Sequence, residues 1–288
     1  MNMKLTAQAD FYIDHYGVEE GIKYLKSLGY NQIVYAISGR TKKVFADEHA
    51  YELFRETLQR YDMKLLFTIH KEEVYSDLAP QTTEGRIIKC IESLRITANM
   101  GCEVMAVRPV ALRKSIPNAL DESKRLTFEI YSDIKEKADG LEIKLAFFNN
   151  TKIMQFTSGT YSYGCRGSEL LELAGAFNAD IVINPVYALK AGERIEELLT
   201  EVKDKLLAFG IYDQSQRTPY ASFPMFGTVD YIELIRFFKG FKSDASIVMM
   251  YTPIMSRYED FVSERSFIHA LTEAFHKIGC LINGKEEP

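Results

Sequence analysis

Ile96-Thr97-Ala98-Asn99-Met100-Gly101-Cys102-Glu103-Val104-Met105-Ala106-Val107-Arg108 decides how the rest of the chain is read. It closes a helical segment, turns on a glycine, enters a short aliphatic run and stops at a cation. A glycine just past a helix adopts the left-handed conformation that ends it without a Cβ clash. Gly29 and Gly140 are expected to do the same work as Gly101. Strands are predicted at Met3–Ala7, Gln32–Ile37, Lys64–Ile69, Glu103–Val107, Lys144–Phe148, Asp180–Ile183, Leu207–Tyr212 and Ser246–Tyr251. Helical periodicity falls between them, at Val18–Leu28, Asp47–Tyr61, Thr83–Met100, Asp121–Ala138, Gly167–Phe177, Gly192–Lys205 and Val229–Phe241, with a last helix at Tyr258–Ile278.

Eight strands alternating with eight helices predict parallel pairing through right-handed crossovers, and eight is the number at which such a sheet closes around a core of side chains. An open doubly wound sheet would carry a Gly-rich phosphate turn after its first strand, but the chain reads Gln8-Ala9-Asp10-Phe11-Tyr12 there, which argues against NAD and FAD. P-loop, H-E-x-x-H, G-x-S-x-G and EF-hand patterns are absent too. The expected architecture is an α/β protein, one (β/α)8 barrel domain over residues 1–288, a length that such barrels commonly reach as one unit.

Charged residues make up 26% of the chain and the net charge is −5 with scattered basic residues, so the clustered positive surface that nucleic acid requires is not expected. No apolar run approaches the roughly 20 residues that span a bilayer, nor does the amino terminus carry a run of signal-peptide length. A cytoplasmic protein without membrane or nucleic-acid partners is expected. Cys90, Cys102, Cys165 and Cys280 form no C-x-x-C pair and sit in or beside apolar segments, which predicts reduced thiols that pack rather than pair.

In a barrel of this type the loops after the strands share one mouth. The strand ends are Gln8 and Asp10; Ser38 and Arg40; His70, Lys71 and Glu72; Arg108; Asn149 and Asn150; Asn184 and Tyr187; Asp213 and Gln214; and Met250 and Tyr251. His70 closes an apolar strand, so its imidazole is expected at the mouth as a proton acceptor, against the alternative of a ring tied to a neighbour. His15 is placed in a loop, and His49, His269 and His276 on helices, all as structural or solvated groups. Arg108 offers a fixed fork of donors for a phosphate, carboxylate or polyol, or else an ion pair at the rim. Asn149 and Asn150 suit sugar hydroxyls, with turn formation as the competing role.

Three stretches resemble the xylose-isomerase-like family of sugar phosphate isomerases, epimerases and related endonucleases. These are Leu25-Lys26-Ser27-Leu28-Gly29-Tyr30-Asn31-Gln32-Ile33, the segment Ile96–Val104 quoted above, and Phe223-Pro224-Met225-Phe226-Gly227-Thr228-Val229-Asp230-Tyr231. The resemblance implies a (β/α)8 barrel acting on sugars, polyols or sugar phosphates by moving a proton next to a carbonyl. It further implies His70 or Asp213 as base, Tyr187 or Tyr251 as donor, and Arg108, Asn149, Asn150 and Asn184 as binding groups. The family also has a divalent-metal site, and here its ligand positions are largely replaced. Where the family has Glu-Asn after the fifth strand this chain has Asn149-Asn150, and where it has Asp-x-x-His after the sixth it has Asn184-Pro185-Val186-Tyr187. Its His-x-x-Asp becomes Gly210-Ile211-Tyr212-Asp213, and its last glutamate falls on Met250. An amide in place of a carboxylate removes a charge, and methionine removes an oxygen donor, so no cofactor and no tightly bound metal are expected. A barrel that binds a carbohydrate-like molecule without catalysis is the alternative. A DNA-repair nuclease is disfavoured by the acidic balance and the missing metal ligands. The aromatic segment Gln214–Phe226 is open to reading as a lid or a subunit contact in a homo-oligomer.

Overall fold

Gln32–Ile37 is buried at every position, and a strand with no face for water needs a filled lumen on one side and helices on the other. The computed structural model supplies both, and describes residues 4–39, 41–71, 82–113, 117–150, 160–211, 213–214, 221–222, 227–250 and 264–282. Its strands are β1 (Leu5–Gln8), β2 (Gln32–Ile37), β3 (Lys64–His70), β4 (Val104–Val107), β5 (Ala111–Arg113), β6 (Lys144–Phe148), β7 (Thr160–Ser162), β8 (Asp180–Ile183), β9 (Leu206–Ile211), β10 (Asp213–Gln214), β11 (Ala221–Ser222) and β12 (Ser246–Met249). Eight of them close as β1-β12-β9-β8-β6-β4-β3-β2, all parallel, while β5 pairs β7 and β10 pairs β11 as short antiparallel ladders. The helices are α1 (Asp10–Tyr16), α2 (Val18–Ser27), α3 (Thr41–Val44), α4 (Glu48–Arg60), α5 (Thr83–Asn99), α6 (Ala119–Gly140), α7 (Gly167–Phe177), α8 (Pro185–Ala191), α9 (Ile195–Glu201), α10 (Tyr231–Gly240) and α11 (Glu264–Ile282).

The expected barrel is present, with the eight strand positions displaced by no more than two residues where described; Met3, Tyr212 and Tyr251 lie outside the described residues. Several expectations are corrected. Gly140 is the last residue of α6, and the left-handed residue after that helix is Glu142, with φ 56°, whereas Gly29 and Gly101 do turn as expected. The predicted helix Gly192–Lys205 is shorter, because Gly192 ends α8 with φ 80° and α9 is followed by a 3-10 turn at Lys203–Lys205. His15 lies on α1 rather than in a loop, its Nδ1 2.8 Å from the Phe11 carbonyl oxygen.

Contacts to the helix layer set the phase of each strand. Phe147 meets Tyr131 of α6 edge to face at 5.1 Å, Phe209 meets Phe238 of α10 at 5.3 Å, and Thr68 Oγ1 lies 2.6 Å from Thr97 Oγ1 of α5. These side chains point outward, so alternation turns Phe148, Gly210 and Ile69 into the lumen. At the strand starts Gln32 Oε1 accepts from Thr6 Oγ1 at 3.3 Å and from Ser246 Oγ at 3.2 Å, tying the last strand to the first two. All four cysteines are free and buried. Among the described residues no helix is long and apolar enough to cross a membrane.

Candidate functional site at the barrel mouth

Two polar groups stand at the carboxyl ends of the strands. In the first, Asp10 opens α1 immediately after β1, and its carboxylate takes 2.8 Å and 3.2 Å hydrogen bonds from Gln8 Nε2 and Lys71 Nζ. Asp10 is buried while Lys71 is half-buried, so the pair is only partly screened. In the second, the Arg108 guanidinium lies over the Phe148 ring at 5.5 Å and the Tyr187 ring at 4.9 Å, and donates to the Tyr187 hydroxyl at 3.0 Å. The β3 to β4 register pairs Ile69 with Ala106, and continued two residues it brings Lys71 level with Arg108. Both groups therefore stand at the same end of the barrel, after neighbouring strands.

The asparagines position this arrangement. Asn149 Nδ2 donates to the Asn184 carbonyl at 3.0 Å, and Asn149 Oδ1 accepts from Asn184 N at 2.6 Å. Asn184 Oδ1 in turn accepts from Val186 N and Tyr187 N, capping α8, with Pro185 in its first turn. That cap fixes Tyr187 over Arg108. Asn150 Nδ2 donates to the carbonyls of Pro109 and Tyr163, fastening the segment after Arg108. Asn149 thus spends both ends of its amide on the protein, while among the described residues Asn150 Oδ1 and Asn184 Nδ2 have no hydrogen-bond partner.

His70 and Asp213 are not brought together. The His70 ring turns outward, Nδ1 2.8 Å from Ser93 Oγ of α5, on the same strand face as Thr68. Burial, helped by the nearby Lys89 charge, pushes its pKa down to about 4. The expectation of an imidazole at the mouth is thereby corrected: the ring fastens β3 to α5. Asp213 is fully buried, and its carboxylate accepts from the backbone N–H groups of Gly227 at 3.1 Å, Thr228 at 2.8 Å and Val229 at 3.1 Å. It holds the start of the α10 segment. Tyr251, Arg40 and Glu72 lie outside the described residues, as does most of Gln214–Phe226. Asp10 and Lys71, read only as strand-end residues from the sequence, form the polar pair that reasoning passed over. Opposite charges ending β1 and starting the loop after β3 were the available signal.

The metal positions of the resembling family fail on donor chemistry. Asn149 is committed to Asn184, the Asp213 carboxylate to three amides, and Met250 brings only sulfur, which packs where a Cβ on Gly210 would sit. Among the described residues no group of three or more His, Cys, Asp or Glu side chains is placed to share an ion. As arranged, these residues do not fit a divalent cation.

No protein-family model matches the sequence, and no curated protein sequence matches it. Solved structures do. The apo 3-keto-D-glucoside 4-epimerase YcjR from E. coli superposes with a TM-score of 0.69 at 12% identity, over 96% of this chain and 99% of that one. D-psicose 3-epimerase from Clostridium cellulolyticum H10, solved with D-tagatose, gives 0.70 at 9% identity over 96% and 98%. The IOLI protein, solved with a zinc atom, gives 0.71 at 13% identity over 96% and 98%. Likeness at such low identity carries the fold and nothing finer: the chain is a closed (β/α)8 barrel, the architecture of these three proteins, two of which are sugar epimerases.

Proposed function

We propose that this chain binds a carbohydrate-like small molecule, a sugar, polyol or sugar phosphate, at the mouth and moves a proton next to its carbonyl, without a tightly held metal. The Arg108–Phe148–Tyr187 group carries this reading. A guanidinium backed by two rings and hydrogen-bonded to a phenol is pre-oriented to grip oxygen atoms of a polyol or phosphate. Asn150 Oδ1 and Asn184 Nδ2 add an acceptor and a donor. The acid-base work falls to Asp10, steadied by Gln8 and Lys71, and to the Tyr187 hydroxyl. The fold shared with sugar epimerases supports the substrate class. A cytoplasmic, homo-oligomeric protein without nucleic-acid or membrane partners goes with this reading, and sedimentation measures the assembly.

A second reading, binding without turnover, draws on the commitment of His70 to Ser93 and of Asp213 to the loop amides. One experiment separates the two. Ketoses and ketose phosphates that raise the unfolding midpoint are incubated with the protein in D2O and EDTA, and loss of the proton next to the carbonyl is followed by NMR. Exchange that falls about a hundredfold or more in Asp10→Asn establishes proton transfer by this group. Stabilisation without exchange leaves the binding reading, and no stabilisation by any such ligand removes both.

A further inference from the structure

The opposite end of the barrel holds a cavity of about 560 Å³, a size at which proteins hold small molecules. It lies among the starts of β2, β3, β4 and β9 and the ends of α4 and α5, remote from Arg108 and Lys71. Two independent features open onto it. The β2 to β3 register runs Ile33 to Leu65 and then Val34 to Phe67, which leaves Leu66 as an extra residue; the β8 to β9 register runs Ile181 to Leu206 and then Val182 to Ala208, which leaves Leu207. Bulges re-aim side chains, and both extra leucines, from different parts of the barrel wall, line this cavity. The second feature is Gln32, only 6% exposed and also in the lining. Its Oε1 accepts from Thr6 and Ser246, while among the described residues its Nε2 has no acceptor. With its oxygen satisfied, the amide of this nearly buried residue keeps a donor available to an acceptor in the cavity.

We infer that this cavity is a second ligand site, for a compact uncharged molecule with an apolar body and one carbonyl-type oxygen. Leu66, Leu207, Met63 and Met100 surround the body, and Gln32 Nε2 donates to the oxygen. Charge at the rim cancels: Arg55 is paired with Glu48 at 2.9 Å, and Lys64 and Glu103 bring opposite signs. The inference stands apart from the reading of the mouth.

The test uses the full chain with labelled leucine and methionine methyls, titrated by NMR with cyclohexanone and with methylenecyclohexane, the same ring without oxygen. Saturable shifts at Leu66, Leu207, Met63 and Met100 are expected, with the ketone bound about tenfold tighter, as one added hydrogen bond provides. Leu207→Phe fills the space and abolishes the shifts, and Gln32→Met brings the two probes to equal affinity. Absence of saturable shifts, shifts that persist in Leu207→Phe, or no preference for the ketone overturns the site. Contacts from the Met1 or Met3 methyls to Leu207 in the protein alone would also overturn it, by assigning the cavity to the chain's own amino terminus.

Discussion

With Nδ1 at Ser93 Oγ and little room for water, the His70 ring is held neutral. An unfolded histidine titrates near 6.5, and this one near 4 when folded. Between those values the unfolded chain takes up a proton that the folded chain refuses. The stabilisation is therefore complete above about 6.5, drains away as pH falls, and is gone near 4. The gap corresponds to about 3 kcal/mol. Urea unfolding between pH 7 and 4.5 should show this loss, and His70→Gln should flatten it; an unchanged slope would return the ring to a solvated position. Arg108 offers a different test at the same scale. Arg108→Lys keeps the charge but loses the fork and the ring contacts, so affinity for a sugar that stabilises the protein should fall about tenfold or more by calorimetry. Tyr187→Phe, which removes one hydrogen bond, should cost only about fivefold. Wild-type affinity in Arg108→Lys would take the guanidinium out of the site.

Among the elements, the Asp213 carboxylate spans two pieces of chain, since β10 begins with it and the three amides it accepts from lead into α10. Asp213→Asn replaces a charged acceptor of three hydrogen bonds by a neutral amide. The expected cost is about 3 kcal/mol in urea unfolding, with hydrogen exchange at Gly227–Val229 accelerated well before the barrel opens. A variant as stable as the parent would free the carboxylate for chemistry. The elements themselves were legible: Gln32–Ile37, Lys144–Phe148 and Asp180–Ile183 fall where apolar runs put them, and Gly167–Phe177 where helical periodicity does. Side-chain direction was not. Lys64–Ile69 meets the lumen on one face and α5 on the other, both apolar, so no alternation marks which face His70 continues. The short helices α1 and α8 were missed because seven residues make too few turns for periodicity, although Asn184-Pro185 is a readable start signal.

At the scale of the molecule, the barrel shares its architecture with the zinc-bearing IOLI protein, while its own strand ends carry amides, a loop-bound carboxylate and a sulfur. The mouth is held together by protein-to-protein hydrogen bonds: Asn149 with Asn184, Asn184 with α8, and Arg108 to Tyr187. A site organised by such bonds keeps its shape with no ion in it, so its stability should be indifferent to divalent cations. A ligand bound only by the folded state adds about 2.7 kcal/mol at a hundred times its Kd, which moves the unfolding midpoint of a domain this size by several degrees. Midpoints in EDTA and in excess Zn2+, Mn2+ or Mg2+ are therefore expected to agree within about 1 °C, and ligand-induced shifts to survive chelation. A rise of several degrees with one cation, lost in Asp213→Ala, would mean that Asp213 leaves its three amides to hold an ion; proton transfer without metal would then have to be withdrawn.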